Sequence, residues 1–106
     1  MEHKMFSLLD IKAGLYSPPF FMVSGAHAVR AVAELGADSS NLVGRHPSDF
    51  QLVQLGTWDD TTGQATTGVP LPLGLVANLV QANHRTTLNL FANVGEEVKK
   101  GEMSDD

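Results

Sequence analysis

The sequence predicts an α+β domain: a small antiparallel sheet of about four strands with two helices packed on one face, in the order β-β-α-β-β-α. Three observations carry that prediction. Residues 46–64, HPSDFQLVQLGTWDDTTGQ, read as a turn, a strand, a tight reversal and the start of a second strand. Residues 24–35 and 73–82 each carry an apolar stripe at helical spacing. The strand-like and helix-like stretches come in blocks along 106 residues, one domain's worth of chain.

Met5 to Ile11 reads as the first strand, with Phe6, Leu8 and Asp10 on one face. Lys12-Ala13-Gly14 supplies a turn, and Leu15-Tyr16 resumes an extended run into Pro18-Pro19. Two prolines remove ladder donors, so they mark a sheet edge or a rigid lead into the next strand, Phe20 to Val23. Ser24 is an N-cap for a helix to about Leu35, striped by Ala28, Val29, Val32 and Ala33, with Gly36 at the left-handed C′ position. Residues 37–49 read as polar loop. A strand follows from Phe50 to Thr57, and Asp59-Asp60-Thr61-Thr62-Gly63 reverses the chain, since Asp bonds its own following backbone and Gly accepts positive φ. Thr66, Thr67 and Val69 form the returning arm, which Pro70 and Pro72 are expected to stop. Leu73, Val76, Ala77 and Val80 stand at i, i+3, i+4 and i+7, predicting a second helix over 73–82 whose wide apolar face needs cover. The domain spans residues 1–82, and 83–106 form a C-terminal extension, partly helical or disordered.

Composition narrows the function classes. Hydrophobic residues make up 42% and charged ones 18%, a foldable balance. With no cysteine, a disulfide scaffold, a thiol nucleophile and cysteine-based metal sites are excluded. The first twenty residues lack a secretory-signal pattern, and the longest apolar stretch, Val69 to Val80, is too short to span a bilayer. Twelve acids against seven bases give a net charge of −5, the opposite of what phosphate neutralisation favours. Outside residues 96–106, which hold five acids and two lysines, seven acids face five bases, so charge neither indicates nor excludes nucleic acid.

Catalytic patterns are missing. His46, Asp49, Asp59 and Asp60 do not follow EF-hand spacing, and the four histidines show no i, i+4 pairing. No G-x-S-x-G elbow, phosphate loop or dinucleotide fingerprint occurs. No enzyme, metal or cofactor is expected. The aromatic set is more informative. Tyr16 and Trp58 sit beside turns, with Lys12, Arg30 and Arg45 as the nearby cations, and aromatics interleaved with bases on a sheet can stack single-stranded bases and hold their backbone. Against this stands the plainer role of rim packing, with Phe20, Phe21 and Phe50 as core.

Four blocks of the chain form a recognisable set. They are FSLLDIKAGLYSPPFF (6–21), AHAVRAVAELG (26–36), HPSDFQLVQLGTWDDTTG (46–63) and PLGLVANL (72–79). Together the sequence resembles the small nonstructural protein of gokushoviruses, single-stranded DNA phages of the microvirus group. The third block carries most of the likeness, through H-P-x-D-[YF]-x-L-x-x-L-G-x-[FW]-D-D-x-x-G. Ser48 departs from it, standing where an acidic residue is usual, and the chain from Asn83 onward has no counterpart. The resemblance implies a protein of the infected cell's cytoplasm, outside the main capsid set, that associates with DNA or assists single-stranded genome synthesis and packaging. It carries over no catalytic residues.

Two expectations follow. The first is a DNA-associated accessory protein with Lys12, Arg30 and Arg45 on phosphates and Tyr16 and Trp58 stacking. The second is a homo-oligomer or adaptor that contacts the phage initiator or procapsid through Leu73, Leu75, Val76, Leu79 and Val80.

Overall fold

Strand β1 (Glu2–Asp10) runs through the sheet interior because its alternating apolar residues find partners on both edges. The structure, a computed structural model, describes residues 1–86 and 88. One edge of β1 takes two short strands end to end: β2 (Leu15–Tyr16) against Leu9 and Asp10, and β3 (Phe20–Met22) against Lys4 to Phe6. Pro18 and Pro19 fall in the gap between them, where no ladder donor is needed. The other edge of β1 pairs antiparallel with β4 (Phe50–Asp59), from Glu2↔Asp59 to Asp10↔Phe50, with a register shift after Met5. β5 (Ala65–Leu75) pairs with β4 and ends the sheet. The antiparallel sheet thus has five strands, because Leu15-Tyr16 pairs as a strand in its own right.

The main helix α1 (Gly25–Ala37) starts where the sequence predicts, with the Ser24 hydroxyl accepting from the His27 N–H at 3.2 Å. Its end differs. Gly36 is helical and buried, not a C′ residue, and Asp38 closes the helix with its N–H on the Leu35 carbonyl. Close approach explains the glycine: a Cβ at Gly36 would lie 2.4 Å from Val76 Cγ1 and 2.8 Å from Val80 Cγ2. The expected loop over 37–49 contains a one-turn helix, α2 (Leu42–Arg45), capped by Asn41, and a 3₁₀ turn at Pro47–Asp49.

The prolines after the hairpin do not stop its second arm, which continues to Leu75. Gln54 pairs with Leu71 and Gly56 with Thr67, leaving 68–70 without ladder partners, and a second shift lies beside Pro72. Prolines on an edge strand at such irregularities delete no needed bond. The second long helix, α3, consequently begins at 76 rather than 73 and is helical through 86. Most of the expected extension, from 87 on except Leu88, lies outside the described residues.

Both long helices cover one face of the sheet. Phe6, Leu8, Phe50 and Leu52 meet Ala28, Val32 and Val76 in the core, with Phe20, Met22, Leu73, Leu79 and Val80 packed around them. The residues between, Met5, Ser7 and Val53, alternate onto the opposite face and are also buried. Ser7 is completely enclosed, and its hydroxyl donates to the Ser17 carbonyl at 2.8 Å.

Candidate nucleic-acid interface

The β1–β4 register decides which candidate residues meet. Tyr16 pairs with Leu9 at the Asp10 end of β1, and the residue is 50% exposed. Lys12 lies in the turn just beyond, 79% exposed, with its Nζ 3.4 Å from an Asp49 carboxylate oxygen. Asp49 precedes Phe50, the β4 partner of Asp10, and its carbonyl accepts from the Ile11 N–H at 2.9 Å. Arg45 closes α2 at the same end, exposed, with Nη1 donating to the Ser40 carbonyl at 3.3 Å. A cleft of about 280 Å³ at this end is lined by Leu8, Asp10, Tyr16, Phe50 and Val43 of α2, and neither Lys12 nor Arg45 lines it.

Trp58 and Arg30 stand elsewhere. Trp58 pairs with His3 six residues along β1 from Leu9, roughly 20 Å away at strand rise. Alternation puts it on the same face as Tyr16, half-buried between the His3 ring at 5.3 Å and the Phe21 ring at 5.5 Å. Arg30 projects from α1, on the helix-covered side, with Nε 3.6 Å from the Glu34 carboxylate. An exposed i, i+4 pair of this kind restrains the guanidinium weakly.

The Trp58 end is acidic. The Asp60 carboxylate accepts from the Met1 amino group at 2.7 Å and from His3 Nε2 at 2.8 Å. Those bonds, the amino group's first, hold the Asp60 carboxyl down to about 2, and the same contact raises the amino group above its ordinary value. Asp59 is lowered too, chiefly by the Thr61 N–H on its carboxylate. Phosphates would meet repulsion here, whereas at the Tyr16 end Lys12 and Arg45 stand against Asp10 and Asp49.

The residues expected at an oligomer interface are drawn inward. Val76 is fully buried, and Leu73, Leu79 and Val80 pack on the core, so the apolar stripe of this segment is largely satisfied by the chain itself. Leu75 ends β5, half-buried opposite Gln51. Phe21, expected in the core, is instead 43% exposed with its ring against Trp58, and His3 had no expected role beside that ring. Their only signal is the cross-strand register, set by pairings between segments up to 55 residues apart.

Among the described residues, no group of three His, Asp or Glu side chains converges to hold a metal, and no helix is long and apolar enough to cross a membrane. No curated protein and no solved structure matches the chain. One family profile does, that of the Phage ORF5 protein, over residues 3–82. Those bounds take in all of the sheet but Glu2, both caps of α1 and the start of α3, nearly the span of the four sequence blocks. The chain therefore belongs to the Phage ORF5 protein family and is a bacteriophage protein.

Proposed function

We propose that the protein is a non-enzymatic accessory factor of a gokushovirus-type single-stranded DNA phage, associating with the single-stranded genome during replication or packaging in the host cytoplasm. The observation that carries the reading is the exposed placement of Tyr16, Lys12 and Arg45 at the same end of the sheet. A ring so placed can stack on an unpaired base while the cations take the flanking phosphates. Trp58 offers a second stacking position on the same face, supported by His3 and Phe21. The family and the four sequence blocks supply the phage setting.

Few cations are engaged, so the salt dependence is shallow. Single strands give a slope of about −0.7 per phosphate neutralised, and two contacts predict a roughly sevenfold affinity loss between ~50 and ~200 mM salt. Fluorescence anisotropy with labelled oligothymidylate should show that loss. Replacing both Lys12 and Arg45 by Glu should abolish binding, and Tyr16→Ala should weaken it about 5- to 150-fold, one stacked base's worth. Absence of binding at the low-salt end, or binding indifferent to salt and to the charge reversals, rejects the reading.

A further inference from the structure

Over Ala65–Val69 the outer edge of β5 carries neither charge nor proline. Sheet edges are usually protected by shortness, charge, proline or bulges. β5 has eleven residues and ends the sheet, and residues 65–72 are all exposed, Val69 at 92%. From Thr61 to His84 the chain contains no Asp, Glu, Lys or Arg. Both prolines stand at 70 and 72, where the ladder with β4 is already irregular. That leaves Ala65–Val69, with β-branched Thr66, Thr67 and Val69, as an uncharged and proline-free pairing edge. Among the described residues nothing hydrogen-bonds to its outer side.

The occupant follows from charge and from the opposite edge. Nucleic acid or a charged peptide would find no counter-charge along 61–84. An identical strand finds an equally neutral one, with no like charges brought face to face. Head-to-tail addition is blocked, because the far edge consists of two- and three-residue strands separated by Pro18-Pro19. The one long edge in a second copy is again β5, so the association closes at two.

We infer that β5 is a self-association strand: two copies pair Ala65–Val69 antiparallel about a two-fold axis at Thr67, with Ala65 opposite Val69 and Thr66 opposite Gly68. Sedimentation equilibrium of the full chain, from micromolar to sub-millimolar concentration, should show a monomer–dimer equilibrium. Thr67→Lys puts two ammonium groups against each other at the axis and should weaken the dimer at least about tenfold, with an unchanged circular dichroism spectrum. The chain has no cysteine, so Thr67→Cys should oxidise to a covalent dimer, whereas Arg30→Cys on α1 should not. If Thr67→Lys fails to fold, the cysteine pair decides alone. A monomer at every concentration, a dimer indifferent to Thr67→Lys, or a Thr67→Cys chain that does not cross-link overturns the inference; in the first case the edge is left to a partner of another sequence.

Discussion

Ser17 is a small residue whose hydroxyl alone has three neighbours within hydrogen-bond distance. Its hydroxyl accepts from the Leu8 N–H at 2.9 Å, lies 3.1 Å from the Ser7 hydroxyl, and donates to the Pro18 carbonyl at 3.2 Å. It bridges the stretch of β1 left open between β2 and β3. Ser7→Ala removes one donor and should cost about 1 kcal/mol, whereas Ser17→Ala strands the Leu8 N–H beside a buried hydroxyl and should cost about 2 kcal/mol. Urea midpoints check the order, and a Ser7→Ala loss equal to or larger than that of Ser17→Ala contradicts it. Asp60 makes its prediction through pH. Its folded carboxyl, at about 2, lies below the ordinary value of 3.8, so the unfolded chain takes up the proton first. The stabilisation is complete above the ordinary value and fades as pH falls from there through about 2. Asp60→Asn should flatten acid unfolding in that window, and a carboxyl NMR titration with its midpoint near the ordinary value refutes the assignment. Local chemistry of the Ser24 or Gly63 kind was legible in the sequence, because a cap or a turn uses neighbours. The Ser7–Ser17 pair was not, since its geometry exists only once β1 has both short strands on its edge.

At the scale of elements, α1 and α3 touch through the absence of a side chain. Ala at Gly36 would gain up to about 1 kcal/mol of helix propensity. Its methyl, however, would press on Val76 and Val80, whose branched side chains turn with difficulty. Overpacking typically costs about 1–3 kcal/mol, so Gly36→Ala should destabilise by about 1–2 kcal/mol despite the better helix former. Chemical denaturation tests the sign, and a stabilised variant shows that α3 can shift aside. The same contact explains what pattern reading could and could not deliver. The start of α1 and strand β4 follow from signals inside each segment. PLPLGLVANLV (70–80) satisfies strand and helix patterns alike, and the free edge of β4 settles the matter by pairing it through Leu75. Its helical stripe exists, but displaced by three residues and spent on the chain's own core.

For the whole molecule, Tyr16, Lys12, Arg45 and Trp58 could each be singled out from their neighbours, yet not their grouping. Asp10↔Phe50 brings the first three to one end, Glu2↔Asp59 carries Trp58 to the other, and α1 holds Arg30 on the far side. The DNA titration and the sedimentation experiment therefore probe separate regions, and either can fail without the other. An antiparallel pair related by a two-fold axis keeps the same face uppermost, so the dimer would present both Tyr16 residues on one face, at its opposite ends. The interior place of β1 has a further consequence, for synthesis. Its hairpin-like neighbours β2 and β3 emerge within a dozen residues, but β4 is complete only at Asp59. At about 5–20 residues per second the ribosome leaves one flank of β1 without its mate for about 2–10 s, so the nascent chain crosses an interval in which its most buried strand is half-clothed.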